Sequence, residues 1–421
     1  MRILALTTRS PWPLNEGRAL RSFHLLRALA REHEVHLLSF VQNEGDVEGL
    51  PVMRQWCASA EAVPLYLDHP RLRLLGDAMI EPFGRVPLSA LKYRTEAMRA
   101  RVTQRLAQTR FDAVHLDMLH LGEYLPLFKG CVRVLNQHNV ESDLLRRRAQ
   151  TEGQPMVRRY LAYQADRLAR YESALCAAVD RVITVSDLDA ERLAGMTPGL
   201  HATVVPNGVD TDYFRAPAGV DPVAGRMVFV GGFGWKPNLD GIEWFAKEVL
   251  PRITARVPHA HLVVVGHQPE RGLPASLTAD PRIERLGAVP DIRPHVCQGA
   301  VFVVPLRIGG GTRLKILDAL ALERAVVSTS IGCEGLDLEL GRSILVADTA
   351  EAFAEATVQA LTRADLARSL GEAGRERVRR TYEWDVITQG LDALYQPLEQ
   401  YPQGPDGSRR VTAPRPVEWM T

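Results

Sequence analysis

The 421-residue chain predicts an α/β protein made of two doubly wound parallel-sheet domains in series. Two observations carry this expectation. Short β-branched or apolar runs alternate with long amphipathic stretches, which is the pattern of βαβ units. That pattern also runs once, breaks in a Pro/Gly/Ala-rich stretch, and restarts. At roughly 100–200 residues per domain, the length suits two domains or three.

In the first half the strand-like runs are Arg2–Thr7, Val35–Phe40, Ala113–Leu116, Val132–Asn136 and Arg181–Val185. A helix beginning near Arg18 places Leu20, Phe23, His24, Arg27 and Ala28 at helical spacing. The break falls near 205–225, where Val205-Pro206-Asn207-Gly208 has turn chemistry. The second half resumes at Met227–Val230. It continues through His261–Val265, Arg282–Leu286, Ala300–Val303, Ala325–Ser328 and Ser343–Val346. The expected division is a first domain over 1–205, a linker over 206–225 and a second domain over 226–380. The Pro- and Gly-rich residues 401–421 have little to bury and are expected to be a disordered tail.

Composition narrows the function. With 46% hydrophobic and 24% charged residues the chain is globular, which excludes disorder, collagen and coiled coil. A formal charge of +1 argues against a dedicated nucleic-acid binder. Cys57, Cys131, Cys176, Cys297 and Cys333 have neither zinc-ligand nor disulfide-framework spacing, which suits a reducing compartment. No apolar run reaches the ~18 residues of a membrane helix. The N-terminal run is too short for a signal peptide and Arg9 interrupts it, so it reads as the first strand of a cytoplasmic protein. Residues 71–110 hold nine basic against three acidic residues. They form either a solvated helical face or a surface that approaches anionic lipid or a phosphate-bearing acceptor.

The strongest local signal is Pro305-Leu306-Arg307-Ile308-Gly309-Gly310-Gly311-Thr312-Arg313-Leu314-Lys315-Ile316-Leu317-Asp318. A strand ends at Pro305, a glycine loop follows, and a helix starts near Thr312. Backbone N–H groups and the helix dipole then converge where a phosphate can sit. Thr312, Lys315 and Asp318 share one side of that helix. A cation and a carboxylate beside an anion loop suit a nucleoside diphosphate with its ribose; the bland alternative is a tight turn with an exposed Lys–Asp pair. Walker spacing is missing, and no G-x-G-x-x-G follows the first strand of either half, which disfavours a nicotinamide dehydrogenase.

A second glycine loop, Gly231-Gly232-Phe233-Gly234-Trp235-Lys236-Pro237-Asn238, follows the strand Met227–Val230. Lys236 either faces a pyrophosphate or is a solvated loop lysine, and Trp235 is expected to pack. In the first half, Asn136-Gln137-His138-Asn139 closes a buried strand. A polar cluster there is expensive unless it binds something. His138 is either structural or the residue that handles protons or polarises a hydroxyl. Gly17, Arg18 and Arg21 in the first βα loop are a further anion or sugar contact. Asp210-Thr211-Asp212 follows a Pro-Asn-Gly turn and reads as a turn and cap rather than a metal site. No other His/Cys/Asp cluster has ligand spacing, so no metal ligand is assigned.

These segments together resemble family 4 of the GT-B glycosyltransferases. Gly309 to Ala319 does so with Ala325-Val326-Val327-Ser328-Thr329 and Gly332-Cys333-Glu334-Gly335-Leu336. So do Val205 to Phe214, Val228-Phe229-Val230-Gly231 with Trp235-Lys236-Pro237-Asn238, and Ile183-Thr184-Val185-Ser186. The nearest subgroup is that of bacterial exopolysaccharide- and exosortase-associated sugar transferases. The resemblance implies two Rossmann-like domains facing across a cleft and a retaining, metal-independent transfer from a nucleotide-diphospho-sugar without a cofactor. It puts Gly231, Gly232, Lys236, Arg313, Lys315, Thr312 and the amides of Gly309, Gly310 and Gly311 on the leaving diphosphate. It also implies Asp318 near the ribose, His138 near the donor sugar and reaction centre, Gly17 facing diphosphate and acceptor, and Val289 meeting the base. Tyr382-Glu383-Trp384 would pack a helix, over 381–400, that crosses back onto the first domain.

Two positions depart from the family pattern. Its paired glutamates, with seven residues between them, are Gly310 and Asp318 here, and the arginine that often follows the first glycine of the donor loop is Gly232. Arg313 is expected to supply that missing charge. The function this predicts is extension of an exopolysaccharide or cell-envelope polysaccharide on a lipid-linked glycan acceptor, in the cytoplasm or at the inner membrane face. A nucleotide-sugar epimerase and a non-catalytic nucleotide-sugar-binding scaffold are the rival readings.

Overall fold

The structure, a computed structural model, describes residues 1–14, 16–65, 86–267, 273–309 and 312–397. The expectations placed on Gly310, Gly311, residues 71–85 and the tail over 401–421 lie outside the described residues. Two units separate: one comprises Met1–Pro206 with the segment from Thr388 onward, the other Asn207–Ile387.

The first unit is a parallel sheet in the order β3-β2-β1-β4-β5-β6-β7. Its strands are β1 (Arg2–Thr7), β2 (Glu34–Val41), β3 (Ser59–Pro64), β4 (Ala113–Asp117), β5 (Val132–Asn136), β6 (Arg181–Thr184) and β7 (Thr203–Val204). Its longer helices are α1 (Gly17–Glu32), α2 (Glu96–Gln108), α3 (Glu141–Gln150), α4 (Pro155–Ala178) and α5 (Asp187–Met196). Ile3, Leu4, Ala5 and Leu6 of β1 are fully buried, because helices cover both faces of a parallel sheet. Each large apolar side chain so buried contributes about 1.5–3 kcal/mol. Capping fixes the helix starts: Thr95 Oγ1 accepts the Met98 N–H at 3.1 Å, and Ser186 Oγ accepts that of Asp189 at 3.2 Å.

The second unit repeats the design in the order β10-β9-β8-β11-β12-β13. Its strands are β8 (Val223–Val230), β9 (His261–Val265), β10 (Ile283–Gly287), β11 (Gly299–Val304), β12 (Ala325–Ser328) and β13 (Leu345–Val346). Its longer helices are α6 (Lys236–Trp244), α7 (Leu314–Ala321), α8 (Ala350–Thr362) and α9 (Ala364–Thr381). In both sheets the order runs 3-2-1-4-5. Connections therefore leave in opposite directions between the first and fourth strands, and the crevice at that reversal is where open α/β sheets bind ligands.

Two expected boundaries change. Residues 206–225 do not stand apart as a linker. Asn207 onward is built into the second unit, and the Val209 N–H donates to the Tyr382 carbonyl at 2.8 Å. The returning helix expected over 381–400 is two short pieces. Trp384–Ile387 stays with the second unit, whereas the 3-10 turn Leu391–Tyr395 buries Leu391, Leu394 and Tyr395 in the core of the first. Among the described residues no helix is long and apolar enough to cross a membrane.

Candidate functional site

In the second unit the glycine loops follow β8 and β11, the two strands that flank the reversal of strand order. Arg313 takes the N-cap position of α7, and Lys315 follows in its first turn. The Lys315 ammonium donates to Asn238 Oδ1 at 2.9 Å and lies 4.2 Å from the Phe229 ring centroid. Asn238 Nδ2 in turn donates to the Gly232 carbonyl at 2.8 Å. Lys315 is thus tied through one amide to the loop after β8. A Cβ at Gly231 would come within 2.6 Å of Asn238 Nδ2 and 2.7 Å of Lys315 Nζ, so glycine there lets the two loops meet. Thr312 Oγ1 accepts from Asn207 Nδ2 at 2.6 Å.

Arg313 is buried, and its guanidinium lies over the Trp235 ring at 5.1 Å. Trp235, expected to pack, is instead 40% exposed and acts as a platform for that cation. Gly309, at φ 123°, keeps the approach of Arg313 open, since a Cβ would sit 2.5 Å from a guanidinium nitrogen. At Gly232 a Cβ would press on the His267 carbonyl at 3.3 Å. A side chain there would need that neighbour to yield.

The electrostatics of Lys315, Arg313 and Asp318 suit a bound anion. Burial pushes the Lys315 ammonium down to about 7, and nearby Arg313 adds to the shift. Burial pushes the Asp318 carboxyl, one turn further along α7, up to about 8, against the pull of Lys315. The structure does not gather every expected residue. Lys236 is exposed at the first turn of α6 and has no hydrogen bond or ion pair among the described residues. Val289 packs partly buried against the core after the edge strand β10. Asp210 caps a turn, its Oδ1 accepting the N–H groups of Asp212 and Tyr213, as expected of a structural residue.

In the first unit the corresponding reversal lies between β1 and β4. Gly17 is exposed at the first position of α1. Arg18 pairs with Glu16 at 2.8 Å. Arg21 is not a ligand contact: it is fully buried, and its Nε and Nη2 donate to Asn136 Oδ1 at 3.1 and 2.8 Å. Its Nη1 donates to the Val205 carbonyl at 2.7 Å. With Oδ1 so occupied, the Asn136 amide must point Nδ2 at Asp117 Oδ1, 2.7 Å away.

His138 closes the cluster, with Nε2 2.8 Å from Asp117 Oδ1. Ser22 Oγ donates to Asp117 Oδ2 at 2.5 Å. Burial alone would raise the Asp117 carboxyl, but His138 and His115 outweigh it and hold the group well below the ordinary carboxylate range. Burial lowers His138 despite the pull of Asp117, so its imidazole is neutral at neutral pH. Sequence reasoning missed Asp117. A carboxylate ending the buried run Ala113-Val114-His115-Leu116 was the available signal, because burying a charge is tolerated only where partners meet it. Met118 directly after it has φ 84°, a strained conformation for a non-glycine residue.

A second clamp holds the same loop. The Glu172 carboxylate, buried on α4, accepts from Gln137 Nε2 at 3.1 Å and from the N–H groups of Glu141 and Ser142 at 3.1 and 3.2 Å. Ser142 Oγ meets it at 2.6 Å. Burial pushes Glu172 up to about 7 although these donors pull the other way. Among the described residues, no group of three or more His, Cys, Asp and Glu side chains is placed to hold a metal ion.

Comparison with known proteins agrees with this architecture. Residues 19–213 match the profile of Glycosyltransferase Family 4, and residues 224–363 that of Glycosyl transferases group 1. A 44.6 kDa protein from the cps region of Klebsiella pneumoniae is 22% identical over 369 residues, covering 84% of this chain and 89% of that one. A phosphatidyl-myo-inositol mannosyltransferase of Mycobacterium tuberculosis is 30% identical over 227 residues, 51% of this chain and 58% of that protein. Sucrose-phosphate synthase from Thermosynechococcus elongatus has the same fold, with a TM-score of 0.71 and 19% identity over 94% of this chain and 98% of that one. With both profiles present in order and the two parallel sheets in place, the chain belongs to family 4 of the GT-B glycosyltransferases, a family with members in cell-envelope polysaccharide and glycolipid biosynthesis.

Proposed function

We propose that the protein is a retaining, metal-independent glycosyltransferase. It moves a sugar from a nucleotide-diphospho-sugar to a hydroxyl of a lipid-linked glycan, in exopolysaccharide or cell-envelope polysaccharide biosynthesis at the cytoplasmic face of the membrane. The observation that carries this reading is the tie between Lys315, Asn238 and Gly232 beside Arg313, at the strand-order reversal of the second unit. As the bond from the anomeric carbon to the diphosphate breaks, negative charge grows on the leaving oxygen. Fixed cations and backbone amides stabilise that charge without reorganising. Lys315, made a weaker base by burial, regains its full positive charge when an anion arrives. Retention requires the acceptor oxygen to enter on the face from which the diphosphate leaves. The departing phosphate oxygen is then the nearest base for the acceptor's proton.

The remaining roles follow the family pattern. Thr312, Gly231 and Gly309 line the diphosphate with Gly310, Gly311, Gly232, Lys236 and Gly17. Asp318 holds the ribose, Val289 meets the base, and His138 orients a sugar hydroxyl through its open ring nitrogen. The Mycobacterium tuberculosis relative, by its name, transfers mannose to a phosphatidyl-myo-inositol, and a second relative from that organism, 27% identical over 236 residues, is named as GDP-mannose-dependent, which makes a GDP-mannose donor the first to try. A peripheral contact with anionic membrane is proposed for 71–110. Within its described part, Arg101 and Arg105 already pair with Glu61, and Arg94 faces Glu123 at 4.0 Å.

The test is a thermal-shift screen of UDP-, GDP-, ADP- and dTDP-sugars with and without EDTA, followed by acceptor-dependent release of nucleoside diphosphate. Stabilisation by one nucleotide series, unchanged by EDTA and lost in Lys315→Ala, is expected. Conversion of the donor alone would point to an epimerase. Binding with no turnover on any acceptor would point to a scaffold.

A further inference from the structure

The helical hairpin of α3 and α4 carries a surface that the donor chemistry does not use. At the start of α4, Met156 is 78% exposed and Tyr160 51% exposed, with Val157 and Tyr163 also exposed. Met156, Tyr160 and Tyr163 are spaced i, i+4 and i+7, so they line one face. Such a contiguous run of large apolar side chains in water is unfavourable unless something covers it. Arg159 flanks that face, and Arg158 and Arg148 lie on the same hairpin tip; all three are exposed and, among the described residues, make no ion pair. Arg146 and Arg147, by contrast, are neutralised by Asp166 and Asp143.

The position of this tip follows from Glu172. Its carboxylate is fixed to Gln137, Glu141 and Ser142, just past the carboxyl end of β5. α4 then runs on to Ala178 before the chain enters parallel strand β6 at its amino end. The turns before Glu172 therefore extend past the carboxyl edge of the sheet. From Pro155 to Glu172 an α-helix rises about 25 Å. The exposed tip thus projects from the edge of the first unit that carries His138.

We propose that this tip, with Met156, Tyr160 and Tyr163 on one face and Arg148, Arg158 and Arg159 on the same hairpin end, docks the protein on an anionic lipid surface. Tyrosine and methionine suit the interfacial layer, where an apolar body and a polar tip are both satisfied. Exposed arginines complement the negative headgroups of such a surface. A second copy of the chain fits less well, because a two-fold contact through this tip would bring unpaired arginines of both copies together. The inference gives the proposed lipid-linked acceptor a place to be met. It does not need the enzyme to be active, so its failure and that of the donor assignment can be told apart.

The test is flotation of the full chain with vesicles of phosphatidylglycerol in phosphatidylcholine, against phosphatidylcholine alone, across a series of salt concentrations. Wild-type protein is expected to bind only the anionic vesicles and to release as salt rises. Arg158→Glu with Arg159→Glu should weaken binding about tenfold or more, and Met156→Ser with Tyr160→Ser should do likewise at low salt. Both pairs should keep the wild-type melting temperature and nucleotide-sugar thermal shift. Arg99→Glu with Arg110→Glu, in the basic stretch over 71–110, should weaken binding less than either tip pair does. Equal binding by the tip variants, no binding by wild type, or loss confined to the Arg99 and Arg110 pair would overturn the proposal. So would lipid-free light scattering that shows a dimer in wild type and a monomer in the Met156 and Tyr160 pair, which would make the tip a contact between copies.

Discussion

Asp117 Oδ1 receives both the Asn136 amide and the His138 Nε2–H, so the proton of the neutral imidazole is fixed on Nε2. Among the described residues Nδ1 has no hydrogen-bond partner, and it is the nitrogen left for the proposed sugar hydroxyl. Asp117 therefore acts as a positioning residue. Asp117→Asn keeps the shape but presents an amide that can stabilise the other tautomer. It is expected to lower kcat by about tenfold to a hundredfold, as loss of a histidine's orienting partner does, with little change in donor affinity. Steady-state kinetics with a parallel donor titration decide the matter; an equal loss in donor affinity would show that Asp117 holds the fold of the loop instead.

Glu172 couples loop order to pH. Its folded value of about 7 lies above the ordinary 4.5, so the stabilisation is complete below about 4.5 and is lost as pH rises through about 7. Wild type should thus exceed Glu172→Gln in stability by more at acid pH than at alkaline pH, the gap shrinking by about 1–3 kcal/mol. Urea unfolding of both proteins on either side of neutrality measures it, and a gap that widens with pH would contradict the assignment.

For Lys315 the sign is opposite in origin. Burial has lowered its value to about 7, and a bound diphosphate favours the ammonium and raises it. Nucleotide-sugar affinity should therefore fall as pH rises above about 7, by up to tenfold per pH unit, with uptake of a proton on binding. Calorimetry in buffers of different ionisation enthalpy reads that proton. Lys315→Arg, charged throughout, should bind with no such slope.

Two glycines of the second unit separate function from folding. At Gly231, whose φ is 158°, a Cβ meets the side-chain ends of Asn238 and Lys315 rather than backbone. Gly231→Ala should lower the melting temperature only slightly while it weakens nucleotide-sugar binding about tenfold, the loss of roughly one charge-assisted hydrogen bond. At Gly241 a Cβ would sit 2.5 Å from the Pro305 carbonyl, which is backbone and does not yield. Gly241→Ala should destabilise the fold by about 1–3 kcal/mol. Thermal unfolding and donor titration of the two variants should rank in opposite orders.

The central strands were legible because they are buried on both faces and read as continuous apolar runs. Val132–Asn136, His261–Val265 and Ala325–Ser328 coincide with their predicted ends. Ser59–Pro64 was not legible: it is the edge strand β3, half-buried, and its Ser-Ala-Glu-Ala-Val-Pro has no apolar periodicity. The glycine loops were visible as composition, but the Asn238 bridge between them was not, because it depends on which loops the strand order brings together. Arg21 misled for the same reason. A basic residue near a helix start suggests an anion, and only the tertiary structure reveals that Asn136 and the Val205 carbonyl already engage it.

The first unit's core is closed by the chain's late segment: Tyr395 is fully buried there, and its hydroxyl meets His115 Nδ1 at 2.6 Å. The second unit, by contrast, is one uninterrupted stretch from Asn207 to Ile387. During synthesis the usual order of domain completion is then reversed. Residues 1–206 emerge first but wait, with the seat for Leu391, Leu394 and Tyr395 open, until translation has passed position 395. A chain cut after Ile387 would carry every residue of the second unit and an unsealed first one, whose open apolar seat is a defined place for a chaperone to act.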